Sequence, residues 1–157
     1  MSSNKKEEII ELLQKAYCME METVANYLAN SIHLDGISAE QVKQSLGEDI
    51  QEELEHATKL GNRIKQLGGC IPGSFALAYD QKNMQPPEDP TDVVSIVKGV
   101  VEAETKAVEH YKKVIDTARD EDPVTEDLAI TLSADEMEHR TQFEGFLAEY
   151  RKEPAGA

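Results

Sequence analysis

Apolar positions recur at alternating spacings of three and four along most of the chain, which is the period of an amphipathic helix. The first run, about 5–34, carries Ile9, Leu13, Ala16, Glu20, Val24, Tyr27, Ser31 and Leu34 on one stripe, and Asp35-Gly36 breaks it. Ser38 with Gln41 reads as a capping-box start for a second run, about 39–67. Its stripe is Val42, Leu46, Ile50, Glu53, Ala57, Leu60, Ile64 and Leu67, and Gly68-Gly69 ends it. Residues 68–89 hold Pro72, Pro86, Pro87 and a short apolar patch from Phe75 to Tyr79, so they form a long connection with room for one helical turn. Asp89-Pro90 opens a third run, about 90–119, with Val93, Val97, Val100, Val101, Glu104, Val108, Tyr111 and Ile115. Asp122-Pro123 opens a fourth, about 123–151, with Leu128, Leu132, Glu136, His139, Phe143 and Leu147.

Four long helices without a strand pattern predict an all-α fold in one domain over residues 1–157. The short links near 36 and 121 join antiparallel neighbours. The crossover 68–89 is long enough to run the length of the molecule and leave the second and third helices parallel. The prediction is an antiparallel four-helix bundle with one long crossover.

Composition agrees: 39% of residues are hydrophobic, only 5% aromatic, and Trp is absent. No apolar run nears the ~18 residues of a membrane span, and MSSNKKEEII lacks a signal-peptide core; a cytoplasmic protein is expected. The net charge of −15 opposes direct DNA binding, which depends on Lys and Arg displacing counterions, and opposes anionic membranes. It attracts cations, and Glu48, Asp49 and Glu52 are candidates for guiding them inward. Cys18 and Cys70 belong to no CxxC or Cys/His cluster. Cys18 would lie mid-helix and Cys70 beyond the far end of the next helix, a layout that disfavours a disulfide and leaves free thiols.

The two halves repeat. Glu20 is followed seven residues later by Tyr27 and then by Glu53-Leu54-Glu55-His56; Glu104 is followed seven later by Tyr111 and then by Glu136-Met137-Glu138-His139. The Glu-to-Glu intervals are 33 and 32 residues, so the repeat sets the four glutamates at similar depth. Glu-x-x-His places both side chains on one helix face, but Glu is abundant here and the pattern alone is weak. The stronger sign is that Glu20, Glu53, Glu104 and Glu136 interrupt apolar stripes.

Four carboxylates buried without partners would be very costly, so buried charges come paired or metal-bound. Basic partners are missing from these stripes, since Lys59, Lys65, Lys106 and Arg140 fall off the inward faces. With His56 and His139 the glutamates make a ligand set for two divalent cations. Oxygen and imidazole donors suit iron, with manganese or zinc as substitutes. Tyr27 and Tyr111 are either plain core aromatics or hydrogen-bond partners of the ligand carboxylates.

Other acidic and histidine positions fall elsewhere. Glu22 and Glu102 lie about 200° around their helices from Glu20 and Glu104 and should point outward. His33 and His110 are off-stripe and expected at the surface, and Cys18 should face away from the metals. No Gly-rich phosphate loop, nucleophile elbow or zinc-finger spacing occurs.

Glu20, Glu53-x-x-His56, Glu104 and Glu136-x-x-His139 resemble the ferritin-like di-iron carboxylate proteins over residues 5–151. The spacing looks most like bacterioferritin and the Dps-like mini-ferritins, and Glu20-Met-Glu-Thr-Val-Ala-Asn-Tyr27 is close to the bacterioferritin first-helix motif. The resemblance implies that Glu53 and Glu136 bridge two metals, with Glu20, Glu104, His56 and His139 as terminal ligands. It implies a ferroxidase that oxidises Fe(II) with H₂O₂ or O₂ and stores or detoxifies iron in a hollow homo-oligomeric cage. Leu54 stands where bacterioferritin carries its haem-ligating Met, so no haem is expected. The chain ends about 18 residues after His139, at RKEPAGA, without room for the fifth helix of 24-subunit ferritins, which favours a twelve-subunit cage. Thiol-containing Dps-like proteins place a cysteine pair near the metals, which Cys18 and Cys70 do not obviously reproduce. The competing reading is a rubrerythrin-like di-iron or dimanganese peroxidase or catalase that does not store iron; no CxxC pairs supply its electron-transfer module.

Overall fold

The computed structural model describes residues 1–152. Four long helices organise them: α1 (Ser3–His33), α2 (Glu40–Gln66), α3 (Val93–Ala118) and α4 (Pro123–Tyr150). Short 3₁₀ turns occur at Ile37–Ala39, Ser74–Ala76 and Lys82–Met84, and there is no strand among the described residues. The expectation that no fifth helix follows α4 extends to residues 153–157, outside the described residues. No helix is long and apolar enough to cross a membrane among the described residues.

Local chemistry sets the helix ends. Ser2 caps α1 by accepting from the Lys5 amide, and Asp122 caps α4 by accepting from the Thr125 amide ahead of Pro123. Gly68 adopts φ 80°, and the Gly69 amide returns to the Ile64 carbonyl at 2.9 Å, closing α2 with a Schellman motif. Two predicted starts are corrected. The α3 cap is Asp92, which accepts from the Ser95 amide, while Asp89 instead bonds the Thr91 amide and hydroxyl in a turn before it. The second helix begins after the Ile37–Ala39 turn with no side-chain cap, so Ser38 and Gln41 form no capping box.

Contacts between helices give their directions. His110 reaches the Leu12 carbonyl, Tyr111 bonds Glu20 and Tyr27 bonds Glu104, so α3 runs antiparallel to α1. Arg63 meets Asp122 and His56 meets Glu136, so α4 runs antiparallel to α2. The hairpins α1–α2 and α3–α4 therefore leave α2 and α3 parallel.

The crossover is fastened along α1. The Gln81 amide donates to Glu22 Oε1 at 2.6 Å, the Gln81 side chain bonds Thr23 and Asn26, and Asn30 donates to the Met84 carbonyl at 2.7 Å. Glu22 is thus buried at 4% exposure, against the expected outward position, because the crossover covers that face of α1. His110, expected at the surface, is buried at 5% and bonded to the Leu12 carbonyl; α1 covers it. His33 is half-buried and meets the Pro87 carbonyl at 2.7 Å. The thiols lie where expected, Cys18 midway along α1 and Cys70 beyond the end of α2. The chain after Gly69 folds back along α1, so that Cys18 and Cys70 line one groove with Gln14, Ile71 and Ala76. Both are free; Cys18 is buried with its Sγ donating weakly to the Ala76 carbonyl, and Cys70 is exposed.

The core divides in two. One apolar cluster contains Tyr27, Leu34, Val42, Leu46, Met84, Ile96, Val97, Val100 and Phe143. The other contains Ile9, Leu13, Ala16, Leu60, Ile64, Tyr111, Val114, Ala129 and Leu132. Between them lies a buried polar layer.

Candidate metal centre

Each helix brings its stripe through the middle of the bundle, and the residues predicted to bind metal fall there. Glu20 comes from α1, Glu53 and His56 from α2, Glu104 from α3, and Glu136 and His139 from α4. All six are buried, none more than 5% exposed. Apolar residues a turn away in each helix, such as Ala16, Leu60, Val100 and Leu132, pack into the two clusters and fix the backbones from which the polar groups project.

The geometry has two overlapping halves. Glu20, Glu53, His56 and Glu136 can each offer an atom such that all lie within 4.8 Å of one another, and Glu53, Glu104, Glu136 and His139 do the same. Glu53 and Glu136 belong to both sets. His56 Nδ1 is 2.9 Å from Glu136 and 3.6 Å from Glu53, while His139 Nδ1 is 3.0 Å from Glu53 and 3.7 Å from Glu136. The two imidazoles stack loosely, centroids 6.3 Å apart.

Both oxygens of Glu53 are buried without a hydrogen bond, and so is His139 Nδ1: at 3.0 Å the pair is close but not aligned as donor and acceptor. Buried polar atoms left without partners are expensive. Carboxylate and imidazole atoms converging on shared space, with the Glu53 oxygens and His139 Nδ1 left unbonded, suit divalent cations between them.

The electrostatics follow from crowding. Burial raises the Glu20 and Glu104 carboxyls well above the usual range, and repulsion from Glu136 and Glu53 adds to it. Burial also pushes Glu53 and Glu136 upward, but close neighbours leave both lowered: His139, His56 and Glu20 beside Glu53, and Glu104, His139 and His56 beside Glu136. Burial disfavours charge on the imidazoles too, yet the carboxylates win: His56 rises to about 10 and His139 to about 12.

Tyr27 and Tyr111, left open between core and site by the sequence, are completely buried and do both. Each packs in one apolar cluster, Tyr27 donating its hydroxyl to Glu104 and Tyr111 to Glu20. Those bonds cross between the sequence halves. Burial, with the carboxylates beside them, holds both phenols protonated.

Sequence reasoning missed Asp135 and assigned Glu52 only a steering role. Asp135 Oδ2 lies 3.1 Å from His56 Nε2, and Glu52 Oε2 lies 3.0 Å from His139 Nε2. The internal repeat held the missing signal: Asp135 precedes Glu136 as Glu52 precedes Glu53. Asp49 stands half-buried near His139, and its carboxyl is raised to about 6, chiefly by burial. Glu48 is exposed, as are Lys59, Lys65 and Lys106, and Arg140 is turned toward Glu144.

Comparison with known proteins agrees with this architecture. The chain is 33% identical over 144 residues to the DNA protection during starvation protein of Pyrococcus furiosus, covering 90% of this chain and 77% of that one. It superposes on a ferritin-like di-iron carboxylate protein of Bacillus anthracis with a TM-score of 0.82 at 24% identity, over 94% of this chain and 99% of that one. A dodecameric thioferritin, the bacterioferritin-related protein of Bacteroides fragilis, gives 0.79 at 23% identity over 92% and 87%. The family model for the ferritin-like domain matches residues 10–152, and the chain belongs to that family.

Proposed function

We propose that this protein is a ferroxidase that takes up and detoxifies iron, binding two Fe(II) ions as substrate between Glu20, Glu53, His56, Glu104, Glu136 and His139. The observation that carries the reading is the pair of overlapping buried ligand sets sharing Glu53 and Glu136, with the Glu53 oxygens free of hydrogen bonds. Glu53 and Glu136 would bridge the two ions, and the other four would each hold one.

Four carboxylates match the four positive charges of two Fe(II) ions, so a loaded site carries no net buried charge. Oxidation adds positive charge that the ionised carboxylates stabilise. Two Fe(II) lose one electron each, and the two electrons with two protons from water reduce one H₂O₂ to two H₂O; with O₂ as the alternative oxidant the same two electrons and two protons give H₂O₂. Tyr27 and Tyr111 hold Glu104 and Glu20 in place, and their buried phenols keep their protons.

Storage follows if the chains assemble into a hollow cage. The thioferritin of similar fold is described as dodecameric, which supports a twelve-chain cage here. The Pyrococcus relative is named for protecting DNA. For a chain of net charge −15 we infer protection by removing Fe(II) and peroxide rather than by coating DNA.

Fe(II) added anaerobically, then H₂O₂ or O₂, should give ferric absorbance at a rate that Glu53→Ala and His139→Ala abolish. Unchanged rates in both variants would refute the site. Twelve 17.5 kDa chains should elute at about 210 kDa; a monomer or dimer would instead favour a non-storing, rubrerythrin-like peroxidase using the same ligands.

A further inference from the structure

We propose that a pocket between α1, α3 and the crossover binds inorganic hydrogen phosphate through Lys15, Lys113 and His110. None of the six residues of the metal centre lines it, so the inference stands apart from the dinuclear reading.

Lys106, Glu109, His110 and Lys113 follow the spacing i, i+3, i+4, i+7, which puts them on one face of α3. With Lys15 and Met19 of α1 and Asp80 of the crossover they line a cavity of about 160 Å³. Lys106 is paired with Glu102 at 2.8 Å, whereas Lys15 and Lys113 have no ion-pair partner among the described residues. In a chain of net charge −15, two unpaired cations from different helices thus converge on one cavity.

The third group is His110, which is 5% exposed, with Nε2 2.8 Å from the Leu12 carbonyl. A carbonyl only accepts, so Nε2 carries the proton. Burial first, and then the charges of Lys15 and Lys113, hold the imidazole below its ordinary range, so the ring is neutral at pH 7. Nδ1 is then an acceptor, and it has no hydrogen bond among the described residues. The pocket therefore sets two ammonium donors beside a buried acceptor, with the Asp80 and Glu109 carboxylates at its border.

That mixture selects among oxyanions. Sulfate is fully ionised: it satisfies the lysines, leaves Nδ1 facing a lone pair, and meets the carboxylates as like charge. A phosphate monoester is largely a dianion without an O–H at pH 7, and a phosphodiester such as the DNA backbone has no O–H either. Inorganic hydrogen phosphate keeps one even as the dianion. Its charged oxygens accept from Lys15 and Lys113 while its O–H donates to Nδ1. Repulsion from the rest of the chain is largely screened beyond about 8 Å at physiological salt, which leaves the choice to the groups lining the pocket.

The test is equilibrium dialysis of the metal-free full-length protein against radiolabelled inorganic phosphate in a chloride buffer at neutral pH. Uptake should saturate at one ion per chain, and sulfate and glycerol phosphate should each compete at least about tenfold less well. Lys15→Gln and Lys113→Gln remove exposed side chains and should each weaken binding about tenfold. Lys112→Gln removes the same charge one position away, outside the pocket, and should leave binding near wild type. His110→Phe should lose the preference for phosphate over sulfate; should that variant not fold, the lysine variants decide. Absence of saturable uptake would overturn the proposal, as would wild-type binding by both pocket-lysine variants. So would a Lys112→Gln effect as large as theirs, which indicates general charge attraction, or sulfate binding as tight as phosphate.

Discussion

Loading this site with divalent metal should expel protons, and the structure sets how many. In the metal-free protein at pH 7 both imidazoles are charged, because nearby carboxylates overcome burial and raise His56 to about 10 and His139 to about 12. Glu53 and Glu136 are lowered and ionised, whereas burial and mutual repulsion raise Glu20 and Glu104 well above the usual range. Two imidazolium cations against two carboxylate anions leave the empty layer neutral when Glu20 and Glu104 hold protons. Two M²⁺ ions against four carboxylates and neutral imidazoles also leave it neutral. Because buried net charge is costly, the two neutral states should exchange directly, with about four protons leaving for two ions and at least about two from the imidazoles alone.

Each proton released steepens the dependence about tenfold per pH unit, so the product of the two binding constants should rise about 10²–10⁴-fold per unit between pH 6 and 8. The sign follows from the imidazoles. Their pKa values are raised in the folded empty protein, so their contribution to its stability is full below about 6.5 and is lost as pH climbs through about 10 and 12. Alkaline pH therefore favours metal over protons. Calorimetric titration with Zn(II) in two buffers of different ionisation enthalpy counts the protons. Fewer than two protons per two ions, or an affinity flat between pH 6 and 8, would refute the reasoning.

Four further outcomes are expected. Tyr27→Phe should leave Glu104 short of a donor and destabilise the metal-free protein by about 1–3 kcal/mol in urea unfolding, with Tyr111→Phe acting alike through Glu20. Asp122→Ala should cost about 3–5 kcal/mol, because it removes the α4 cap and leaves Arg63 without the carboxylate it contacts through both oxygens at 2.8 Å. Burial pushes the Asp122 carboxyl up but the Arg63 and Thr125 bonds leave it lowered, so its contribution is present above pH 3.8 and the cost of the variant should shrink as pH falls below that. Gly99→Ala should lower the urea midpoint, since a Cβ there would sit 2.1 Å from the Asn83 carbonyl. Displacing that backbone costs about 1–3 kcal/mol against roughly 1 kcal/mol of helical gain. Zn(II) at a hundred times its Kd should raise stability by about 2.7 kcal/mol per site, read as a shift in melting temperature that Glu53→Ala removes.

Much of the fold was legible because each helix buries one face at a regular period, and Glu20, Glu53, Glu104 and Glu136 stood out as violations of it. What escaped was anything decided by which segment covers a helix face. Period alone assigns Glu22 and His110 to the outside, but each lies under another segment: Glu22 beneath Gln81, His110 against the backbone of α1. The stripe expected through Val24 and Ser31 shifts to Thr23, Asn26 and Asn30 for the same reason. These buried polar groups look solvated in sequence because their partners, backbone and side chain, lie 54–59 positions away. The start of α3 shows a smaller failure: Asp89 and Asp92 both precede plausible first turns, and only the Thr91 bonds show that Asp89 is spent on a turn.

The repeat carries more than the depth of the four glutamates. It places the four glutamates at similar depth, and in the folded chain the bonds around the site run between its two halves. Tyr27 bonds Glu104 and Tyr111 bonds Glu20; Glu52 bonds His139 and Asp135 bonds His56. Neither hairpin alone can assemble this layer, because each would bury glutamates whose partners lie in the other. Between the hairpins the backbones approach more closely through α1 and α3 than through α2 and α4, which share the two apolar clusters and bond at the imidazoles and at the Arg63–Asp122 pair. A divalent ion held by α2 and α4 together would therefore act where the backbones of the hairpins approach least. Metal binding and hairpin docking should strengthen each other, and the side of the bundle formed by α2 and α4 should gain the most hydrogen-exchange protection when metal binds.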